Sequence, residues 1–252
     1  MTAENGPREL EGTGAIVTGS TGIIGRAIAL ALAEAGAGIV INGRTSGDVA
    51  EEVVAEIEAI GGRAIVHLAD VTSEEAVQGM IDAAVDAFGR LDILINNVGP
   101  GTSSPITELT YAEWRRIMAS KLDSAFLCSK AAIPHLGVHG QGVIINIGAS
   151  SAHVGNANRS VDGAAKMGLA GLTGSLAIEL APQNITVNCV APGRIQRPGA
   201  TSPHFAARPI PAGREGTPEE FAETVRFLCG PHSRFTTGQT LHVNGGWYVS
   251  IN

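Results

Sequence analysis

Cysteine is scarce in this chain: Cys128, Cys189 and Cys229 are the only three among 252 residues, all in apolar surroundings and none in a CxxC pair or at metal-ligand spacing. They read as buried thiols, and no metal site is expected. A run of like charges is also missing, and the formal net charge is −7. The chain therefore lacks an electrostatic footprint for nucleic acid or an anionic membrane surface, and neither partner is expected. No apolar run reaches the length of a membrane span, and the opening MTAENGPRELEG has no apolar h-region, so a soluble cytoplasmic protein is the default. Aromatic residues make up only 4%, whereas the chain holds 33 glycines and is 44% hydrophobic. That balance suits an α/β protein whose elements pack through small side chains.

From residue 14 onward, short β-rich runs alternate with longer helical patterns, the signature of βαβ units and a parallel sheet. The expected strands are GAIVTG, GIVING, RAIVHLAD, LDILINN, GVIINIG, ITVNCVAPG and QTLHVNGG. Helices are expected over IGRAIALALAEAG, DVAEEVVAEIEAIGG and EEAVQGMIDAAVDAFGR, from WRRIM through IPHL as one element, from about Asp162 to Leu180, and over TPEEFAETVRFLCG. Thr217, Pro218 and Glu220 occupy the N-cap, N1 and N3 positions of a capping box. No repeat or linker interrupts the alternation. The reading is a single doubly wound Rossmann-type domain over residues 1–252, with a parallel seven-stranded sheet and helices on both faces. The exception is the Pro-, Gly- and Ser-rich segment Arg194–Gly216, which has no period and is expected to be a substrate lid beyond a strand's carboxyl end.

The first strand runs into TGSTGIIG, Thr18–Gly25, and then directly into a helix. Glycines there allow a tight turn and close approach to a pyrophosphate, which the N–H groups and dipole of a helix N-terminus would bind. A strand-to-helix turn with no ligand would look the same in isolation. Taken with Asp70-Val71 after the third strand, NNVG at Asn96–Gly99, Pro192-Gly193 and the ending GQTLHVNGGW, the glycines Gly19, Gly22 and Gly25 resemble the short-chain dehydrogenase/reductase superfamily. The resemblance runs from about Leu10 to Trp247. It implies a nicotinamide cofactor held by Gly19, Ser20, Thr21, Gly22, Ile24 and Gly25 at the phosphates, Asp70 and Val71 at the adenine, Asn97 and Gly99 near the ribose, and Pro192, Gly193 and Ile195 near the carboxamide. The spacing TGxxGxxG is similar to that of the extended members, and Ile23 stands where a compact member would have glycine. After the second strand, Asn42-Gly43-Arg44 offers no acid for a ribose 2′-hydroxyl and one guanidinium suited to a 2′-phosphate, so NADP(H) is favoured over NAD(H). Arg44 facing solvent is the alternative.

The family's machinery is a Tyr-x-x-x-Lys pair, a serine thirteen residues earlier and an asparagine in the helix after NNVG. Here Lys166 keeps the lysine position, but the tyrosine position is Asp162, the serine position is Ala149, with Ser150 and Ser151 just after it, and the asparagine position is Lys121. Neither tyrosine, Tyr111 or Tyr248, stands near these motifs in sequence. A phenol near ~10 can be brought into service as an acid by a neighbouring ammonium, whereas an aspartate beside a lysine is expected to be ionised with no proton to give. Asp162 and Lys166, four apart on a helix, form either an ion pair worth ~0.3 to 0.5 kcal/mol or a cofactor ribose ligand with its orienting carboxylate. Lys121 is either a bridge to Asp162 or Asp123, or, beside Lys166, an amine of depressed pKa able to act as acid, base or Schiff-base nucleophile. His153 is a candidate general acid or base, or a hydrogen-bonded bystander. Arg197, with Arg159 and Arg208, either accommodates an anionic substrate or faces water.

Three functions fit these residues. The first is an NADP-dependent oxidoreductase acting on a carbonyl or activated alkene of a small molecule, with Lys121, Lys166 or His153 supplying the proton. The second is a lyase, isomerase or dehydratase on the same fold, and the third a non-catalytic NADP-binding protein. The resemblance also implies a homo-oligomer, tetramer or dimer, through the two long helices and the C-terminal strand, where the apolar ending HVNGGWYVSIN would be poorly covered in a monomer.

Overall fold

In the computed structural model, which describes residues 8–99, 101–197 and 208–250, strand and helix alternate as the hydrophobic pattern requires. The order is β1 (Gly14–Val17), α1 (Ile23–Glu34), β2 (Gly38–Gly43), α2 (Gly47–Ala59), β3 (Arg63–Leu68), α3 (Glu74–Phe88), β4 (Ile93–Asn96), α4 (Tyr111–Met118) and α5 (Ser124–Ala132). It continues with β5 (Gly142–Ile147), α6 (Ser150–Val154), α7 (Ser160–Leu180), β6 (Ile185–Pro192), α8 (Pro218–Cys229) and β7 (Thr240–Val243). All seven strands pair in parallel in the order β3-β2-β1-β4-β5-β6-β7. The first connections lead outward from β1 to one edge and the later ones to the other. A crevice therefore opens over the carboxyl ends of β1 and β4, where the direction reverses.

The strands carry continuous Val/Ile runs because helices cover both faces. One core gathers Ile28, Leu32, Ile57, Phe221 and Val225 from α1, α2 and α8. The other gathers Val77, Met80, Ile81, Cys128 and Leu180 from α3, α5 and α7. All three cysteines are buried, Cys229 in the first core and Cys128 in the second, and burial pushes the Cys128 thiol up to about 12. The capping box of α8 forms as expected, with Thr217 Oγ1 accepting from the Glu220 amide at 3.1 Å and Glu220 accepting from the Thr217 amide at 2.9 Å. No helix of the described residues is long and apolar enough to cross a membrane.

Three expectations change. Several strands stop short of their motifs: β1 ends at Val17, β3 at Leu68, β4 at Asn96 and β7 at Val243, because beyond the sheet's carboxyl edge the backbone turns out to build the crevice. The element expected as one helix from Trp114 to Leu136 is continuous in helical backbone but runs from Tyr111 to Ala132, as α4 and α5 joined by a π turn at Ala119–Asp123. There the Ser124 amide reaches back to the Ala119 carbonyl, and the extra residue lets Lys121, 3% exposed, turn into the domain. At the C-terminal end, Trp247 is buried beneath the Arg208 guanidinium, 5.2 Å from its ring, and Tyr248 packs on two histidines, so much of the ending is covered by the chain itself. Of the segment expected as a lid, Arg194–Gly216, residues 198–207 lie outside the described part. Its arms pair, with Ile195 bridging to Gly216 in parallel.

Candidate active site

The turn from β1 into α1 is built from backbone. Gly19 takes φ +62°, which a side chain would strain, and a Cβ on Gly25 would lie 2.4 Å from the Gly19 carbonyl oxygen. The N-cap of α1 is Gly22, no side chain caps the helix, and its first turn holds no acid. Amides of the first turn are therefore left to a ligand, and an anion there meets the positive end of the helix. Asn42 Oδ1 accepts from the Gly19 amide at 3.2 Å, and Asn97 Nδ2 donates to the Thr18 and Gly19 carbonyls at 3.0 and 3.2 Å, which fixes the loop between strands β2 and β4. A cradle of bare backbone at a helix N-terminus fits a dinucleotide pyrophosphate.

From this loop a crevice of about 740 Å³ runs past Asn97–Gly99, along Ile147–Ala149 and α7, to Pro192, Gly193 and Ile195–Arg197. Its charged lining is Lys121, Arg159, Asp162, Lys166 and Arg197. Lys121 Nζ donates to Asp162 Oδ1 in a close ion pair, with side chains 3% and 12% exposed. Asp162 Oδ2 also accepts from Arg159 Nη1 at 3.2 Å and from the Thr102 amide at 3.3 Å. Asp162 thus pairs across the fold and back one turn of its own helix. Its expected partner one turn on, Lys166, instead donates to the Ile147 carbonyl at 2.6 Å. Desolvation, and then the charge of Lys121, lower the Lys166 amine to about 8.

The site and the fold meet in the comparisons with known proteins. The family described as Enoyl-(Acyl carrier protein) reductase matches residues 19–248. The chain is 40% identical over 237 residues to the (2S)-[(R)-hydroxy(phenyl)methyl]succinyl-CoA dehydrogenase subunit BbsD of Thauera aromatica, covering 92% of this chain and 95% of that one. The chain belongs to the short-chain dehydrogenase/reductase family. Within the family it is also 38% identical over 245 residues to the 3-oxoacyl-[acyl-carrier-protein] reductase FabG of Vibrio cholerae, covering 95% and 99% of the two chains. A solved short-chain dehydrogenase of Burkholderia cenocepacia in complex with NADP superimposes with a TM-score of 0.89 at 36% identity, covering 95% and 99%. Members of this family bind NAD(P)(H).

Most residues that the family resemblance implicates converge on the crevice. Gly19, Thr21, Gly22, Ile24, Gly25, Asn97, Gly99, Pro192, Gly193 and Ile195 line it with Lys121, Asp162 and Lys166. Ile23, at the position where compact members have glycine, is 40% exposed and forms part of the same wall. Other positions lie outside its lining. Ser20 is buried and its Oγ accepts from the Asn42 amide at 2.8 Å, and Val71 packs in the core against α3. Asp70 accepts from the Thr72 amide and hydroxyl, which hold its carboxyl below the usual range. Arg44, largely exposed, stands 4.0 Å from Asp70 beyond the ends of β2 and β3.

His153 is placed differently from the expectation of a pocket-lining acid or base. It is not among the crevice-lining residues, and its ring meets His242 edge-on at 4.6 Å and Tyr248 at 5.4 Å. Burial lowers its pKa, and burial with His153 lowers that of His242. Tyr248, remote in sequence from Ala149, Asp162 and Lys166, is brought here by the return of β7 to the sheet edge. Ser150 ties the cluster to the site: its Oγ donates to the Ala191 carbonyl at 3.1 Å, lies 3.0 Å from His242 Nδ1, and accepts from Asn244 Nδ2 at 3.3 Å. Neither this cluster nor the Thr102 amide on Asp162 has a local sequence signal, because each joins segments dozens of residues apart. Among the described residues no three His, Cys, Asp or Glu side chains are grouped to hold a metal.

Proposed function

We propose that the protein is an NADP(H)-dependent oxidoreductase of a small carbonyl or activated-alkene substrate in which Lys166 is the proton donor. The observation that carries this reading is the Lys166 amine on the crevice wall, lowered to about 8 by its surroundings. Such an ammonium is protonated at neutral pH yet acidic enough to protonate a developing alkoxide or enolate, which is what matched general-acid catalysis requires. The other candidates are committed elsewhere, Lys121 to Asp162 and His153 to His242 and Tyr248.

A nicotinamide cofactor would be held by the backbone of Gly19–Gly25, by Asn97 and Gly99, and at its far end by Pro192 to Ile195, and would supply a hydride to the substrate. Lys166 then gives its proton to the substrate oxygen, and the neutral amine is reprotonated from water. The Ile147 carbonyl holds the amine in place through this change. Lys121 and Asp162, paired and nearly buried, form part of the crevice wall beside it. The exposed Arg44 guanidinium supports NADP(H) over NAD(H), since it is the cation nearest the end of β2 and no acid replaces it. The names of the two curated relatives, a reductase and a dehydrogenase of acyl compounds, accord with this chemistry. The decisive experiment follows NADPH oxidation across a carbonyl and enoyl panel. Turnover lost in Lys166→Met supports the proposal, and turnover that survives in that variant overturns it.

The unprotonated share of the same amine favours a second reading, a Schiff-base step in which Lys166 condenses with a carbonyl and expels water. Borohydride trapping of an adduct on Lys166, with no change in cofactor redox state, would select it. A homo-oligomer is proposed from the exposed Ile178 and Met167 on α7 and Phe126 on α5, three apolar side chains on the long helices. Light scattering that finds only a monomer would reject it.

A further inference from the structure

Two cavities meet at the head of α1. One is the crevice, and the other, of about 620 Å³, is lined by Ile23, Arg26 and Leu30 of α1 and by Glu215 and Glu219. Ile23, Gln196 and Arg197 line both. Ile195 packs on the core that α1 shares with α8, and this brings the two residues after it alongside the first turn of α1. Ile23 opens that turn, behind a glycine N-cap and with no side chain capping it.

The arginines differ in what they are committed to. Arg26 gives Nε, at 2.8 Å, and Nη2 to the Glu56 carboxylate. Arg159, expected to work with Arg197, donates to Asp162, and Arg208, expected beside both, lies over Trp247 and lines neither cavity. Arg197 is exposed and has no ion-pair partner among the described residues, although Glu215 and Glu219 line the same cavity. A guanidinium beside the positive end of a helix is repelled by it, so this arrangement gains when an anion lies between the two.

A dinucleotide pyrophosphate is such an anion. It is a dianion, whereas a helix N-terminus supplies about half a positive charge, and the turn Gly19–Gly25 has no charged side chain of its own. Arg44 stands beyond the ends of β2 and β3, and Lys121 and Lys166 are held by Asp162 and the Ile147 carbonyl. We infer that Arg197 grips the cofactor pyrophosphate, its planar fork taking phosphate oxygens in parallel while the α1 amides take others. This rests on the proposed function for the presence of the dinucleotide. Because NADPH and NADH share the pyrophosphate, Arg197 serves both alike, in contrast to Arg44 at the 2′-phosphate.

The test is calorimetric titration of wild type and Arg197→Gln with NADPH and with NADH, together with the melting temperature of each unliganded protein. The variant is expected to bind both cofactors about tenfold more weakly, the size of effect of a charge-assisted contact at an exposed site. Without cofactor it should melt no lower than wild type, because only a repulsion has been removed. If NADH binds wild type too weakly to measure, Arg197→Gln is added to Arg44→Ala, and a further tenfold loss of NADPH is expected, since the two cations act independently; no further loss would overturn the inference. A loss confined to NADPH would overturn it by moving Arg197 to the 2′-phosphate. Unchanged affinities would overturn it and leave Arg197 to Glu215 and Glu219, and a lowered unliganded melting temperature alongside weaker binding would overturn it in favour of a structural role. Wild type that binds neither cofactor would remove the nicotinamide reading itself and this inference with it, whereas the other adverse results leave that reading standing.

Discussion

Replacing Lys121 by methionine should make the Lys166 amine more basic. Lys166 is carried from an ordinary 10.5 to about 8, first by desolvation and second by the Lys121 charge, while Asp162 acts in the opposite sense. That displacement corresponds to roughly 3 kcal/mol of preference for the neutral amine. Lys121→Met removes the repulsion and at the same time takes one cation from Asp162, so both changes favour the ammonium. Arg159 and the Thr102 amide still satisfy the carboxylate, and the variant should fold. The expected rise is on the order of one pH unit, ~1.4 kcal/mol. Labelling with limiting acetic anhydride across pH 6 to 11, read by peptide mass spectrometry, reports the amine directly, since only the neutral form reacts. Wild-type labelling of Lys166 should rise with a midpoint near 8, and that of Lys121→Met near 9. In a reductive assay the same group makes kcat/KM level on the acid side and falling about tenfold per pH unit above the midpoint, with the break moving up in the variant. A wild-type midpoint at 10 or above, or one that stays put or falls in Lys121→Met, would refute the reasoning.

Further predictions concern stability and binding. A lysine whose folded pKa lies below its unfolded value destabilises the protein while pH is below about 8 and ceases to do so as pH climbs to 10.5. Lys166→Met, which also loses the hydrogen bond to Ile147, should therefore be more stable than wild type at pH 7 by about 1 to 2 kcal/mol, with the advantage fading by pH 10.5. Denaturant midpoints at the two pH values check the sign. Asp162→Asn leaves Lys121 and Arg159 facing a neutral amide in a buried site and should cost about 3 to 5 kcal/mol, whereas Lys121→Met with Asp162→Leu should cost less than the single change; equal losses in urea melts would contradict this. Gly25→Ala drives a Cβ to 2.4 Å from the Gly19 carbonyl and should abolish NADPH binding by calorimetry while leaving a folded protein. Arg44→Ala should weaken NADPH about tenfold and leave NADH unchanged; parallel losses for both would place Arg44 outside the 2′-phosphate site.

The scaffold was open to reading because its signals are local. Valine and isoleucine runs, the glycines of the first turn and the Thr217 capping box depend on neighbours a few residues away, and the seven strands come in the order in which their motifs occur. Within the site, most of the residues lining the crevice carry a motif signal, and a Lys121 bridge to Asp162 was among the pairings the sequence offered, but nothing local chose between the alternatives. Four-residue spacing pointed Asp162 at Lys166, whereas the energetic choice was made by burial: a carboxylate inside the domain takes Lys121, 41 residues away, because that ammonium is also buried and needs an anion. The same burial goes with the π turn that the expected helix holds at Ala119–Asp123. No hydrophobic period announces a π turn, since its cause lies on another element. Tyr248 and His242 reach His153 only after β7 has been laid against β6, a contact that spacing along the chain cannot encode.

That π turn makes the position of one charge a matter of chain length. It holds one residue more than an ordinary helical turn, so deleting a single residue within Ala119–Asp123 would let α4 and α5 continue as one regular α-helix. Each residue removed rotates the rest of the helix by about 100° around its axis. The lysine would swing out toward solvent, Asp162 would be left with its arginine, and the inner end of the crevice would fall vacant. Lineages of such proteins can therefore lose or regain an inner-site cation by a three-base deletion or insertion, without altering the identity of any residue that touches the cavity.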